Sequence, residues 1–581
     1  MNICKCLFRR STTGKNTSKS ILTLNGPMKR QRLDALRQSQ KQHSKNKEQQ
    51  LQNFYLAYHA DDKEAVWEVI SRNRELITES IIWQQLLNEY FENLANNRAD
   101  RADETLRALF YAGVVEQEKD GDSFVKELAI YYSGLPPLMR NKLAQAHNLL
   151  SEGNRHFINT DFVSASSKYT SAISGFQSLG NKWEAFISRY LQAYCEILKA
   201  NNSVPIALEQ LLMESKANGY LWFQAQVYNA LGTCYTNITR TSEGIKNTTL
   251  SLDISEQIND HLGVQRNECE LARQHLTVGA TFASLNHLGR CMQSADRNWP
   301  GYRQMLRYYN TAGRVFLGMN NRYAAEAFSG AAFRLSKDEM QDRASIISTS
   351  LNLGDTYRKS GRNDEASRMY EISYKTAQAE PRIEVFRIRE ASAAAMLGNI
   401  YYDMKNYDRS VQYYTESIEL HDELDSVVNR YDALKGRFLA HVAGGNDTQA
   451  HADLEEIRKS SESYRKYIRE EGHRNTFFSM DQEFSDAAID FLYSRKEVEK
   501  AFELSEATRA RSLLDLIRSQ ARITSAGNSP EFILESVTEP VGIDYIQAKL
   551  PEKALILQYA VLKEKIIIWV ISKNGINGTF H

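Results

Sequence analysis

Residues 354–373 read GDTYRKSGRNDEASRMYEIS, and the fold is decided by the spacing inside them. Gly354, Tyr357, Gly361, Ala366, Tyr370 and Ser373 alternate small and bulky side chains at fixed offsets. The same offsets recur in Gly153, His156, Phe162, Ala165, Tyr169 and Ala172, and again in Gly398, Tyr401, Tyr407, Ser410, Tyr414 and Ser417. A weaker copy runs through Gly232, Tyr235, Gly244, Thr248 and Ser251, and Ala501, Ser505 and Thr508 close a late one. Small residues at the first and fourth positions let two antiparallel helices approach closely, while aromatic residues one turn away fill the space to the next hairpin. A hairpin of this kind buries only part of its apolar surface, so the copies must stack.

Short breakers such as Ser360-Gly361-Arg362-Asn363 and Gly444-Gly445-Asn446-Asp447 separate the helices. Their glycines supply the left-handed conformation that stops one helix, and their polar residues cap the next. Anchors near Gly153, Cys195, Gly232, Gly313, Gly354 and Gly398 step by about 40 residues. Between about 262 and 300 only the helical period is kept. These small and aromatic positions resemble the tetratricopeptide repeats, in a form with helices about one turn longer than the usual 34-residue unit. The fold class expected is therefore all-α, a right-handed superhelical solenoid of antiparallel helix pairs.

Around this array the chain divides into a basic arm at 1–50, a helical region at 51–140 and the repeats at 141–518. A linker at 519–548 and a distinct C-terminal segment at 549–581 follow. The arm carries twelve Lys and Arg residues against Asp34 and Glu48 and cannot bury enough apolar surface to offset its ordering entropy. It reads as a solvated tail or a targeting peptide; contact with nucleic acid or an anionic membrane is the charge-based alternative. In 51–140 apolar residues recur at helical spacing until Pro136-Pro137, where the missing backbone donors end the preceding helix.

The helix at 501–516, AFELSEATRARSLLDL, places Arg509, Arg511 and Asp515 beside Leu513, Leu514 and Leu516. After it, LQYAV and IIIWVI form β-branched and aromatic runs joined by the charged Leu562-Lys563-Glu564-Lys565 turn and closed by Lys573-Asn574-Gly575. They read as a hairpin whose second strand is apolar on both faces, like a central strand covered on two sides. This order of helix, linker and strands resembles the entrance to a CHAT domain, the caspase-like module that follows such repeats, and would make the segment the incomplete start of an α/β domain. The chemistry that the resemblance implies needs a histidine base and a cysteine nucleophile beyond the first strands. His581 is no credible base, and Cys195, Cys234, Cys269 and Cys291 fall inside the repeats, where small-residue packing is their expected role. No catalytic, cofactor-binding or metal-ligating residue is assigned.

Composition narrows the function further. Lys plus Arg and Asp plus Glu number 72 each, so no global field selects a polyanionic partner. Six cysteines are too few for a disulfide framework and lack the paired spacing of a zinc site, which suggests a reducing compartment. With no apolar run near the ~20 residues of a membrane span, the chain is expected to be soluble and cytoplasmic. GxGxxG, GxxxxGK[ST], GxSxG and HExxH are absent. His287 and Cys291 share a helix face but lack a third ligand. The expected function is a protein–protein interaction scaffold whose repeat groove holds a peptide or protein, the regulatory part of a repeat-CHAT protein. The alternative is a repeat-gated caspase-like cysteine peptidase whose catalytic region lies outside this chain.

Overall fold

The computed structural model describes residues 48–75, 81–158, 161–198, 204–237, 240–297, 302–379, 384–424, 427–467, 484–507 and 542–580. Most of the basic arm, Arg509, Arg511, Asp515, His581 and most of the 519–548 linker lie outside the described residues. Two compact units are present, Met1–Ala112 and Gly113–His581. The first holds α1 (48–59), α2 (Lys63–Arg72), α3 (Ile82–Ala95) and the beginning of α4 (Ala99–Asp120). Asp61 turns the chain at a φ of 55° and Asp62 caps α2, accepting from the Ala65 N–H at 3.0 Å. Phe54, Val66, Leu86, Leu87 and Leu109 form its core.

In the second unit, after α5 (Phe124–Ser133), helices come in antiparallel pairs. These are α6 (Pro137–Ile158) with α7 (Phe162–Ser178), α8 (Lys182–Leu198) with α9 (Val204–Asn218), and α10 (Leu221–Asn237) with α11 (Thr241–Gln257). Then come α12 (His261–Thr277) with α13 (Thr281–Arg297), and α14 (Tyr302–Gly318) with α15 (Arg322–Arg334), the latter prolonged by a π turn over Leu335–Met340. Next are α16 (Arg343–Lys359) with α17 (Asn363–Gln378), α18 (Glu384–Asp403) with α19 (Tyr407–Glu423), and α20 (Val427–Ala443) with α21 (Asp447–Tyr467). The second helix of each pair packs on the first helix of the next, and from α8 to α20 successive first helices also touch one another. The expected solenoid is therefore present, with a continuous layer made of first helices.

The small residues act as the spacing argument requires. A Cβ on Gly153 would lie 2.5 Å from Tyr169 Cε1, one on Gly354 2.5 Å from Tyr370 Cε1, and one on Gly398 2.8 Å from Tyr414 Cδ1. The last position of the motif adds a bond across the pair: Ser373 Oγ donates to Ile347 O at 3.2 Å and Ser417 Oγ to Ala391 O at 2.9 Å. Gly361 and Gly445, with φ of 73° and 75°, make the left-handed breaks. The stretch around 262–300, where the motif is illegible, is nonetheless a full pair. There Ala272 takes the glycine position and Ser284 Oγ donates to its carbonyl at 2.6 Å, as Ser410 Oγ does to Gly398 O at 2.8 Å.

One expectation is corrected in this pair. Cys269 and Cys291, read as packing residues, are joined in a disulfide that ties α12 to α13, with their Cα atoms 5.4 Å apart. A framework rule looks for several spaced cysteines, whereas a single bridge needs only two residues on facing helices.

After α22 (484–494), α23 (498–507) and α24 (Ile543–Lys549), the chain forms a three-stranded antiparallel sheet of β1 (Ile556–Val561), β2 (Ile566–Ser572) and β3 (Gly575–Phe580). Tyr559 pairs with Ile568 and Trp569 with Gly578. β2 is central, as its composition suggests, but the hairpin has a third strand that GINGTF does not announce. Only one face is covered: Ile567, Trp569 and Ile571 are buried in a cluster with Phe491, Leu492, Ala501 and Phe502. Leu557, Tyr559, Val561 and Ile566 remain exposed. The sheet docks on the end of the solenoid, with Phe502 and Trp569 edge to face at 5.9 Å.

Candidate functional site: a basic cleft on the first-helix layer

Successive first helices stand side by side, so residues at equivalent turns form rows across the layer. At α12, α14 and α16 the rows enclose a cleft of about 380 Å³. Its lining includes Glu270, Arg273 and Leu276 from α12, Arg307, Asn310, Thr311 and Arg314 from α14, and Ser348, Leu351 and Asn352 from α16. Asn352 Nδ2 donates to Asn310 Oδ1 at 3.2 Å, so the two amides form a ladder between neighbouring helices. The Cys269–Cys291 bridge forms part of the α12 wall.

Charge in the cleft follows from a change in the repeat. In three pairs the residue after the small one accepts the hydroxyl of the tyrosine sixteen positions beyond that small residue. Tyr169 Oη donates to Asn154 Oδ1 at 2.9 Å, Tyr370 Oη to Asp355 Oδ1 at 2.6 Å, and Tyr414 Oη to Asn399 Oδ1 at 2.8 Å. In α12–α13 and α14–α15 the tyrosine is replaced by Leu288 and Ser329, and the acceptor by Arg273 and Arg314. Two turns earlier on the same helices stand Arg266 and Arg307, where other copies have His147, Arg189, Gln226, Ser348 and Ser392. Two adjacent helices thus carry arginines seven residues apart, on one face of each.

The local electrostatics agree. Arg273 Nε donates to Glu270 Oε2 at 3.0 Å; burial pulls the guanidinium pKa down, but Glu270 outweighs it and the net shift is upward. Desolvation of the charged end by the surrounding protein, and then the charge of Arg273, holds the Arg314 guanidinium below its ordinary value against the pull of Asp355 and Glu270, although the residue as a whole is exposed. Burial also raises the Asp355 carboxyl above the usual carboxylate range, opposed chiefly by the Tyr370 hydroxyl.

Residues singled out from sequence lie elsewhere or are otherwise engaged. Cys195 and Cys234 are buried, and burial pushes the Cys234 thiol up to about 11, the wrong direction for a nucleophile. Cys291 is held in the disulfide, while His287 Nδ1 meets Glu268 Oε2 at 2.7 Å and its ring stacks on His275 at 5.1 Å. No cluster of three metal-ligating side chains occurs among the described residues. Sequence reading missed these arginines; aligning α12 on Ala272 as α14 is aligned on Gly313 would have shown Arg273 and Arg314 at the same repeat position.

A tetratricopeptide repeat family model matches residues 345–423, within the span of α16 to α19. No curated protein matches the chain. Among solved structures, a Rap protein complexed with competence and sporulation factor is 12% identical, with 65% of this chain and 99% of that one covered at a TM-score of 0.46. A signal transduction ATPase with a tetratricopeptide repeat sensor from Pyrococcus horikoshii is 11% identical, with 76% and 73% covered at 0.43. Aspartyl phosphate phosphatase F from Bacillus subtilis is 11% identical, with 62% and 92% covered at 0.39.

Proposed function

We propose that this chain is a protein-interaction scaffold that lays a segment of a partner polypeptide across the first-helix layer at α12, α14 and α16. The observation that carries this reading is the cleft itself, open along three consecutive first helices and floored by the Asn310–Asn352 amide ladder. Side-chain amides present both a donor and an acceptor, the pair of groups that an extended backbone offers in return. Panning a random peptide library on the full chain and on the N310A/N352A variant tests it. Binders that the variant loses support the cleft; binders that it retains, or an empty selection, refute it.

The resemblance to a CHAT entrance belongs to the same proposal. β2 is the central strand of a sheet with one face still apolar and exposed at Leu557, Tyr559 and Val561, which suits a further covering layer. The peptidase alternative has no support among the described cysteines: two are buried thiols and two are bonded to each other. No described helix is long and apolar enough to cross a membrane. The compartment we propose is the cytoplasm; Cys269–Cys291 weighs against it, because cytosolic thiol pools keep cysteines reduced. Alkylation of the protein as it is released from cells, followed by mass spectrometry of the two cysteine peptides, decides that point.

A further inference from the structure

We infer that the occupant of the cleft is acidic: an extended polypeptide segment whose aspartate or glutamate side chains pair with Arg273, Arg307 and Arg314. This rests on the scaffold reading above and specifies its ligand.

The first argument is comparison within the chain. Asn154, Asp355 and Asn399 are tied to a tyrosine hydroxyl of their own pair. Arg273 and Arg314 replace them only where that tyrosine is gone. A leucine at 288 offers no polar atom to either arginine, and Ser329 Oγ accepts from Thr356 Oγ1 at 3.4 Å. In these two pairs the framework bond is released and a cation stands at the released position, whereas the Gly232 pair, with Thr248 for the tyrosine, has the neutral Thr233 there.

A second, independent observation is that the fold leaves Arg314 under-used. Among the described residues Arg314, which lines the cleft, has neither a hydrogen bond nor an ion pair. A guanidinium left this way forfeits the charge-assisted bonds that a carboxylate accepts two at a time. Glu270 occupies Arg273 in part, and Asp355 is engaged by Tyr370, so the balance of the patch stays positive.

Spacing selects the kind of anion. Seven residues along a helix is about 10 Å, and adjacent helices pack about 8–10 Å apart. Three cations spread in this way, Arg307 and Arg314 along one helix and Arg273 on its neighbour, are too far apart for one small anion. They match acidic side chains two or three residues apart on an extended segment, which advances about 3.3 Å per residue. Nucleic acid would bring the same charge, but the cleft lining contains no aromatic ring on which bases could stack.

The probes are a short labelled poly-glutamate peptide, its poly-glutamine counterpart and a single-stranded oligonucleotide, titrated by fluorescence anisotropy into the full chain. The receptors compared are wild type, R273Q/R314Q, R314K and N310A/N352A, each checked for helicity by circular dichroism. Poly-glutamate should bind, lose about tenfold in affinity in R273Q/R314Q, the size expected of charge-assisted pairs, and recover most of it in R314K. The shared basic arm makes its own contribution equal in every variant, so the difference reads the cleft. If poly-glutamate fails to bind, or binds R273Q/R314Q as well as wild type, the inference is wrong. If the glutamine peptide binds as tightly and only N310A/N352A weakens it, the scaffold reading survives and the acidic ligand does not. Insensitivity of every peptide to both variants removes both readings. An oligonucleotide that outcompetes poly-glutamate at the arginines replaces the polypeptide with nucleic acid.

Discussion

Replacing Tyr370 by phenylalanine tests the interhelical bond on which the cleft argument depends. The ring is fully buried between α16 and α17 and is retained in the variant, so no cavity opens. What is lost is the hydroxyl that donates to Asp355 Oδ1 at 2.6 Å. A hydrogen bond to a charged group contributes about 1.5–3 kcal/mol net, and we expect a loss of about 2 kcal/mol at neutral pH. The pH dependence identifies the cause. Burial already raises the Asp355 carboxyl above its unfolded value, so its protonated form favours the fold; that contribution is fully present below the unfolded pKa and is lost as pH rises through the folded one. Removing the donor raises the folded pKa further, which extends the loss to higher pH. Urea unfolding followed by circular dichroism, from mildly acidic to mildly alkaline pH, should therefore show variant and wild type diverging as pH rises. A difference that is constant with pH, or that grows toward acid, would refute the account of Asp355 as a buried carboxylate held by Tyr370.

Three further outcomes follow from the packing. Gly354→Ala places a methyl group 2.5 Å from the Tyr370 ring and should lower stability by about 1–3 kcal/mol, read as a fall in the thermal midpoint. The Cys269–Cys291 bridge closes a 22-residue separation, for which the chain-entropy relation gives about 3 kcal/mol; reductant should lower the urea midpoint of wild type and leave C269S/C291S unmoved. Trp569→Ala empties a site against Phe502 and should cost about 3–5 kcal/mol, seen as faster proteolysis near the C-terminal sheet, whereas Ile566→Lys on the open face should stay within about 0.5 kcal/mol of wild type.

The framework of the solenoid was legible because its distances are set by a few side chains. Gly354 against Tyr370 and Gly398 against Tyr414 leave no room for a Cβ, so the sequence must keep glycine there and the spacing betrays the fold. The α12–α13 pair escaped notice because Ala272 and Leu288 meet the same requirement in different residues and the disulfide adds a second tie between the helices. β3 escaped because its pairing with β2 is made by backbone groups, which Gly575 and Gly578 supply without any apolar pattern.

The arginines were invisible for a different reason. A periodicity argument asks which positions are apolar, and it treats every charge on the far face as solvated. Position in the repeat asks a sharper question, namely what the same site does in the other copies. At Asn154, Asp355 and Asn399 it accepts a tyrosine hydroxyl and helps to hold two helices together. At Arg273 and Arg314 the tyrosine and its acceptor have changed together, while the close helix contact is retained: a Cβ on Gly313 would still lie 2.3 Å from Ser329 Oγ. The paired change leaves the packing intact and removes an internal bond between the two helices of the pair. What it does change is the first-helix layer, where two guanidinium groups stand in place of side chains tied to a tyrosine hydroxyl.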